Sequence, residues 1–345
     1  MAAFEWDGEI FDIQRYPETS NKSLKSWNSG DELVLDWIKE NDFILADKLI
    51  FHDRFCFLSS VLENVDAYFE YASQLKAHDE FAPYPLEESY PLSIIRIPKS
   101  IELLEEYILK TKTRLAEGGT VLFSFMTKYF TPTILELVNK HFGVVEQSLA
   151  KKKARLIIAK NPTDFEGMLP KEINFNGRIY QQLRGVFSSS KIDHATQWLL
   201  EDFKVLDQEK SLLDLACGNG VIAHSLELNS NFEECFLLDD SKQAIESSRL
   251  NCKGSKFHFI WDDRIPLGLK VDLIVSNPPF HLDHENNIEV SLALFKQAKK
   301  ALNKGGRFVV VANKHLNYST HLEKSFVQVN VLKENKKFEV LECKP

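Results

Sequence analysis

Four consecutive residues, Asn277, Pro278, Pro279 and Phe280, have the types and order best suited to chemistry in this chain. They follow the apolar run 271–276, where a strand would end, and prolines there stop the strand and stiffen the turn. Asn277 can offer its side-chain oxygen and Pro278 its carbonyl oxygen, while Phe280 offers a flat aromatic face. Two acceptors beside an aromatic ring suit a planar substrate that carries an exocyclic amino group.

A turn that contains glycines lies about sixty residues earlier. Residues 211–220 read as a buried strand that runs into a tight turn with Gly218, Asn219 and Gly220, and 221–228 reads as a helix. Glycines in such a turn let the backbone approach a ligand closely. No Lys-Ser/Thr follows, so the turn is not a loop for a triphosphate. An adenosine ligand without phosphate is favoured, and S-adenosylmethionine fits.

Carboxylates follow the next two apolar runs. The second predicted strand ends in Asp239 and Asp240, where a carboxylate can bind both ribose hydroxyls. The third ends in Asp262 and Asp263, where an acceptor can meet an adenine amino group. Because ligands bind at the carboxyl ends of strands in an open parallel sheet, we expect all these residues at one edge. We predict Asp239 for the ribose and Asp263 for the adenine, with their neighbours in reserve.

These segments resemble the class I methyltransferases, and within them the N-methylating group with the signature Asn/Asp-Pro-Pro-aromatic. Closer still, the chain resembles the ribosomal RNA guanine-N2 methyltransferases, and in particular the branch that modifies large-subunit 23S RNA. The segments that carry the resemblance are 185–188, 192–193, 214–220, 247–251, 277–281, 312–318 and 336–338, with 96–99 and 152–157 in the N-terminal half. Two positions depart from the family pattern, since Ala216 and Ala195 stand where the family has glycine.

The resemblance implies a fold, a cofactor and a substrate. The fold is α/β, with two tandem Rossmann-like class I methyltransferase-type domains. Domain 1–165 is degenerate and serves RNA recognition or as a scaffold, and domain 166–345 is catalytic. The cofactor is S-adenosyl-L-methionine and the partner is ribosomal RNA, most simply 23S RNA. The implied cofactor-binding residues are Phe187, which would cover the cofactor, and Asp214, Gly218, Asn219, Gly220, Asp239, Asp263 and Asn277.

The order of predicted elements in the first half repeats in the second. Segments 114–119 and 301–306 both bring Gly-Gly after a helix and before an apolar strand. In the first copy, 97–99 (Ile-Pro-Lys) is expected at the place of Asn-Pro-Pro, and no glycine loop occurs within 31–117. The first copy is therefore predicted to have lost the chemistry. The alternative is that any two α/β domains share Gly-Gly before a strand.

The predicted catalytic residues are Asn277, Pro278, Pro279 and Phe280. A guanine would have to be single-stranded, bulged or flipped, because its N2 edge is otherwise paired, and it would stack on Phe280. Asn277 and the Pro278 carbonyl would accept its amino hydrogens and draw the nitrogen toward tetrahedral geometry, which frees the lone pair to attack the methyl group. Water could serve as the base, and His281 is an alternative base.

Basic residues that could meet RNA phosphate lie in two places. One run precedes the catalytic half, and a second pair follows a predicted strand at the same sheet edge as Asn277. These residues are Lys151, Lys152, Lys153 and Arg155 in the run, and Lys314 and His315 in the pair. A charge run is usually a solvated face, so both interpretations stay open.

Bulk properties limit the class of protein. The 345 residues favour two domains, and a net charge of −8 argues against a protein that coats nucleic acid non-specifically. The five cysteines have no C-x-x-C spacing, and no His/Cys/Asp cluster has the spacing of a metal site, so no metal is expected. The first residues lack a signal-peptide pattern and no apolar run reaches membrane-spanning length, so a reducing cytoplasm and no membrane are expected. The oligomeric state is left open.

Three alternatives to the 23S reading remain. The first is the same reaction on small-subunit 16S RNA. The second is N-methylation of adenine in nucleic acid or of protein glutamine, because Asn-Pro-Pro-aromatic serves any planar amino donor. The third is a non-catalytic scaffold with two inactive copies, against which the intact glycine loop argues.

Overall fold

The computed structural model describes residues 3–19, 21, 23–77, 89–165, 167, 169–188, 190–278 and 288–345, together with the backbone of 281–282 and 285–286. The chain forms two compact units, Met1–Met168 and Leu169–Pro345. The boundary predicted after residue 165 lies three residues before the observed division.

The first unit has a six-stranded mixed sheet. Its elements are β1 (Phe4–Trp6), β2 (Glu9–Phe11), α1 (Ser29–Glu40), β3 (Lys48–Phe51), α2 (Phe57–Val61), β4 (Val65–Tyr68), α3 (Ala72–Ala77), β5 (Tyr90–Arg96), α4 (Ile101–Lys112), β6 (Leu115–Met126), α5 (Pro132–His141), β7 (Phe142–Gln147) and β8 (Ala154–Pro162). The strand order is β4-β3-β5-β6-β8-β7. The first four strands are parallel, and β8 is antiparallel to both of its neighbours.

The second unit has a seven-stranded mixed sheet. Its elements are β9 (Lys171–Phe175), β10 (Arg178–Gln182), α6 (His194–Glu201), β11 (Ser211–Leu215), α7 (Val221–Glu227), β12 (Glu234–Asp239), α8 (Lys242–Asn251), β13 (Phe257–Trp261), β14 (Val271–Ser276), β15 (His281–Leu282), β16 (Glu285–Asn286), α9 (Ile288–Ala301), β17 (Leu302–Asn313), α10 (Tyr318–Glu323), β18 (Gln328–Glu334) and β19 (Phe338–Lys344). The strand order is β13-β12-β11-β14-β17-β19-β18, and β19 runs antiparallel to both of its neighbours, whereas the other paired strands of the sheet are parallel. The expected α/β fold with two Rossmann-like sheets is confirmed.

The central strands of the second unit are apolar on both faces because helices cover both faces of the sheet. Leu212 and Leu213 are neighbours in β11 yet belong to two different hydrophobic clusters, and Leu273 and Ile274 in β14 divide in the same way. Successive side chains therefore pack on opposite sides. Because β11, β12, β13, β14 and β17 are parallel, their carboxyl ends share one edge, where the candidate site lies.

The two sheets share an irregularity that supports the repeat. The pairing of β5 with β6 in the first unit, and of β14 with β17 in the second, is interrupted at the same place. Between two successive pairs, one residue of the shorter strand and four residues of the longer strand stay unpaired. The pairs are Tyr90–Leu115 then Leu92–Thr120 in the first unit, and Val271–Leu302 then Leu273–Arg307 in the second. Counted from these pairs, Arg96 holds the position of Asn277. The expected match of 97–99 with Asn-Pro-Pro is therefore wrong by one residue, because strand pairing and not the proline sets the register.

Candidate active site

Asn277, directly after β14, has a side-chain amide of defined orientation. Its Nδ2 donates to Asp193 Oδ2 at 3.1 Å and to Thr196 Oγ1 at 2.9 Å. A carboxylate can only accept hydrogen bonds, so the NH2 group must face Asp193. The Asn277 Oδ1 takes no part in these bonds and stays available as an acceptor. The role of this oxygen toward a substrate stays a prediction.

The partners of Asn277 are held by the start of α6. Asp193 is the N-cap of this helix, and its Oδ2 accepts from the backbone N–H groups of Ala195 at 2.9 Å and Thr196 at 3.4 Å. The Thr196 side chain is buried. The helix start therefore fixes the two acceptors that fix the amide. In the sequence, Asp193 was noted only as part of a segment that resembles the family, and Thr196 was missed. Each lies more than eighty residues from Asn277, so no local pattern connects them with it.

The rest of the proline segment is only partly described. Pro278 is buried. Pro279 and Phe280 lie outside the described residues, so their catalytic roles stay predictions. His281 is described only in its backbone, where β15 pairs with β16.

The glycines of the loop between β11 and α7 have different tasks. Gly218 and Gly220 have φ values of +55° and +78°, a region that favours glycine. A Cβ on Gly218 would meet nothing within 4 Å, whereas one on Gly220 would lie 3.0 Å from Cys252 Sγ and 3.1 Å from Ser248 Cβ. Gly220 therefore lets α8 pack closely, and Gly218 faces open space that a ligand can use.

Asp239, at the end of β12, is joined to this loop. Its Oδ2 accepts from the Gly218 N–H at 3.0 Å, and its Oδ1 accepts from the Ser241 N–H at 2.9 Å. Burial raises the pKa of Asp239 to about 6, although both hydrogen bonds lower it. The side chain is half-buried and sits beside the open space at Gly218, as a carboxylate for the ribose would. Asp263 follows β13, the next strand at the same edge.

Asp214 and Asn219 are turned into the protein. Burial raises the pKa of Asp214 to about 8; its Oδ2 accepts from the Ala223 N–H at 2.9 Å, and its Oδ1 has no hydrogen-bond partner among the described residues. The Asn219 Nδ2 donates to Gln182 Oε1 at 2.9 Å. Gln182 in turn donates to the carbonyl oxygens of Val186, Phe187 and Ser188 at 3.2–3.4 Å. Gln182, which sequence reasoning missed, therefore ties the Phe187 segment to the glycine loop.

Phe187, which is predicted to cover the cofactor, lies on the surface. Its ring is 68% exposed, an unusual exposure for a phenylalanine whose backbone is hydrogen-bonded to a buried side chain. A large exposed apolar ring near a ligand site gains favourable burial when the ligand is present.

Four of the predicted RNA-binding residues are exposed, two (Arg155 and Lys314) are half-buried, and several form ion pairs. In the first unit, Lys151 and Lys152 pair with Asp36 and Glu32 of α1 at 2.5 and 2.7 Å, whereas Lys153 and Arg155 have no ion pair with a described residue. In the second unit, Lys314 pairs with Glu334 at 2.5 Å. His315 is exposed beside it, at the carboxyl end of β17. Exposed pairs contribute little stability, so phosphate can replace the carboxylates.

The donor set fits S-adenosylmethionine and gives no sign of a metal site. Open space at Gly218, a half-buried carboxylate at Asp239 and the exposed Phe187 ring match an adenosine ligand without phosphate. Within the described ranges, no group of three His, Cys, Asp or Glu side chains could hold a metal ion. No helix among the described residues is both long enough and apolar enough to cross a membrane.

Comparison with known proteins agrees with this geometry. Residues 177–342 match the model of the Methyltransferase small domain, and residues 1–79 and 71–163 match that of the RLMG N-terminal domain. Proteins named Ribosomal RNA large subunit methyltransferase G are similar to nearly the whole chain. That of Shewanella sediminis is 27% identical over 99% of this chain and 91% of its own, and that of Streptomyces coelicolor is 27% identical over 96% and 97%.

Among solved structures, a similar one is the 16S rRNA N2 methyltransferase RsmC of T. thermophilus, in complex with AdoMet and guanosine. It has a TM-score of 0.78 and 19% identity, covering 99% of this chain and 97% of that one. At this identity the likeness shows the fold, which extends over both units. Together the two family models cover nearly all of the sequence, and the chain belongs to the methyltransferase family that joins an RLMG N-terminal domain to a methyltransferase small domain.

Proposed function

We propose that this protein is an S-adenosylmethionine-dependent methyltransferase that methylates N2 of one guanine in 23S ribosomal RNA. The names of relatives that span nearly its full length support the enzyme class and the large-subunit RNA. The orientation of the Asn277 amide is the observation that carries the chemistry, because it leaves an acceptor at the carboxyl edge of the sheet.

Some of the site residues bind the cofactor and others bind the guanine. Bound S-adenosylmethionine supplies an electrophilic methyl group. Asp239 binds the ribose hydroxyls, Asp263 the adenine amino group, and Phe187 shields the site from water. Asn277 Oδ1 and the Pro278 carbonyl accept the two amino hydrogens of guanine, while the ring stacks on Phe280. With the cofactor bound, these contacts would orient the amino nitrogen toward the methyl group and keep its lone pair available, and S-adenosylhomocysteine would be the leaving group. Water accepts the released proton.

The first unit, by this proposal, contributes to RNA binding or serves as a scaffold. The exposed Lys151, Lys152 and Lys153 and the half-buried Arg155 supply the phosphate contacts there, and Lys314 and His315 supply them at the catalytic edge. A cytoplasmic location stays a prediction that follows from an RNA substrate of the ribosome.

The same reaction on 16S RNA is a second candidate. It is favoured by the full-length similarity to RsmC, whose solved complex contains guanosine. Transfer of labelled methyl to deproteinised 23S and 16S RNA from cells that lack this gene separates the two. We expect N2-methylguanosine in 23S RNA only, and label in 16S RNA alone would overturn the 23S assignment.

The variant Asn277→Ala tests the chemistry. We expect a methyl-transfer rate lower by roughly 10² or more, by analogy with removal of a positioned polar group, and nearly unchanged cofactor affinity. Calorimetry with S-adenosylmethionine provides the control for folding. A variant with wild-type turnover would contradict the assigned role of Asn277.

A further inference from the structure

A group of four lysines lines an open groove on the second unit, away from the catalytic edge. The groove has a volume of ≈ 760 Å³, and its lining consists of Lys270, Lys296, Lys299, Lys300 and Ser325. None of these lysines forms an ion pair with a described carboxylate. In a chain with a net charge of −8, four positive charges without a lining acidic residue form a local anion-attracting surface.

Two of the four ammonium groups form hydrogen bonds with backbone carbonyl oxygens, which explains their positions. Lys270 Nζ donates to the Lys300 carbonyl oxygen at 2.6 Å, and Lys299 Nζ donates to the Ser325 carbonyl oxygen at 2.5 Å. Cations near the carboxyl end of a helix are favourable, here at the end of α9. Both groups keep their full charge, because a carbonyl oxygen does not neutralise it.

The other two lysines make no comparable hydrogen bond. Lys296 and Lys300 are exposed and have no hydrogen bond to a described residue. They stand at i and i+4 on α9, where like charges repel and cost about 0.2–0.5 kcal/mol. Lys300 lies in the last turn of α9, where the helix dipole favours a cation, but Lys296 lies one turn earlier. Their proximity adds a repulsion that a bound polyanion would relieve.

The position of the groove connects it with the catalytic edge through one helix. α9 begins at Ile288, just beyond the segment that follows Asn277, and ends at Ala301 beside the lysines. Its 14 residues span about 20 Å, at about 1.5 Å per residue. Lys270 precedes β14, so the groove lies at the amino ends of the strands, opposite the carboxyl ends that form the site.

We propose that this lysine groove binds the sugar–phosphate backbone of the substrate RNA about 20 Å from the target base. This inference rests on the proposed function, in that the polyanion is RNA. An open groove suits a polymer that passes through it, and phosphate contacts position the RNA without reading its sequence. Two contacts on one strand raise the effective concentration of the base at the catalytic edge.

The test compares two double variants of the full-length protein. Lys296→Gln/Lys300→Gln removes the two lysines that make no hydrogen bond to a described residue. Lys160→Gln/Lys253→Gln removes two exposed lysines elsewhere and matches the change in net charge. Filter binding of end-labelled deproteinised 23S and 16S RNA, over a range of salt concentrations, gives the dissociation constant and its salt dependence. Calorimetry with S-adenosylmethionine checks that each variant is folded.

For the groove variant we expect a dissociation constant about 5- to 10-fold higher at low salt. We also expect the slope of log K against log salt to fall by about 1.4 to 1.8, because two phosphate contacts are lost. Both effects should appear with either RNA, whichever one is methylated, so failure of the 23S assignment would not hide them. The control variant should bind like wild type. Equal affinity and equal slope for the two double variants would overturn the proposal.

Discussion

At the scale of single residues, the site depends on hydrogen bonds that hold one amide in one orientation. Asn277 Nδ2 has two acceptors, Asp193 and Thr196, and both belong to the first turn of α6. An Asn277 amide turned by 180° would place its oxygen against the Asp193 carboxylate, which is repulsive. The proposed acceptor, Asn277 Oδ1, is thus oriented before a substrate binds, as electrostatic preorganisation requires.

Replacement of Thr196 by valine tests this positioning. Thr196→Val keeps the shape of the buried side chain and removes the hydroxyl that accepts from Asn277. One neutral hydrogen bond contributes about 0.5–1.5 kcal/mol, so we expect kcat to fall by about 2- to 10-fold, with the KM for S-adenosylmethionine unchanged. Thr196→Ser keeps the hydroxyl and should restore kcat. If the serine and valine variants turned over alike, packing and not the hydrogen bond would explain the loss.

The pKa of Asp239 gives cofactor binding a pH dependence. In the proposed site its ionised form accepts two ribose hydroxyl hydrogens, and burial raises its pKa to about 6. Affinity should therefore fall below pH 6, approaching tenfold per pH unit. Stability shifts in the opposite direction: because the pKa is raised from 3.8, this group favours the folded state most below pH 3.8 and loses that contribution as the pH rises through 6.

Calorimetry with S-adenosylhomocysteine, which has no group that titrates near pH 6, measures this dependence on either side of that value. The matched variant Asp239→Asn should bind weakly and without the pH dependence. A wild-type affinity that stayed constant below pH 6 would show that Asp239 does not bind the ribose through its ionised form.

At the scale of elements, the loop between β11 and α7 separates a ligand-facing glycine from a packing glycine. Gly220→Ala places a Cβ 3.0 Å from Cys252 Sγ at a φ of +78°, so we expect a loss of about 1–3 kcal/mol in the free energy of unfolding. Gly218→Ala meets no neighbour, so the loss should be about 1 kcal/mol, with a large drop in cofactor affinity. Denaturant unfolding measures the free energy of unfolding of both variants, and calorimetry measures their cofactor affinity. Equal losses of stability and of affinity in the two variants would contradict the different roles assigned to the two glycines.

The elements themselves followed closely from the sequence. The predicted strand 271–276 has the bounds of β14, because an apolar run bounded by polar or proline residues leaves little freedom. The contacts between distant elements did not follow. Thr196 and Gln182 form no local pattern with Asn277 or Asn219, so only the folded chain brings them together.

Register was the other limit of the sequence. The first copy was aligned on Pro98, whereas the strand pairs place Arg96 at the position of Asn277. Arg96 contacts an acidic residue at the start of α1, much as Asn277 contacts one at the start of α6. The contact of Arg96 is a 2.8 Å ion pair with Asp31. A bulge at a Gly-Gly turn shifts pairing without a change in composition, so no residue pattern records it.

At the scale of the whole molecule, the repeated fold has kept the site in one unit and filled it in the other. The register of β3 and β11 places Arg54 at the position of Gly218 and Cys56 at that of Gly220, and Cys56 keeps a left-handed φ of 53°. Arg54 is buried and lies over the Tyr71 ring, with its guanidinium carbon 3.8 Å from the ring centroid. By the same register, Phe69 takes the position of Asp239.

These replacements predict one cofactor per chain. Arg54 puts a side chain where Gly218 leaves open space, and Phe69 supplies no acceptor for ribose, so the first unit lacks both requirements of the site. Calorimetric titration of the full-length protein with S-adenosylmethionine should give a stoichiometry of one. Asp239→Asn should reduce the whole of the binding heat at neutral pH, because no second site can contribute. A remaining tight site in that variant would mean that the first unit still binds the cofactor, and that its filled loop rearranges to admit it.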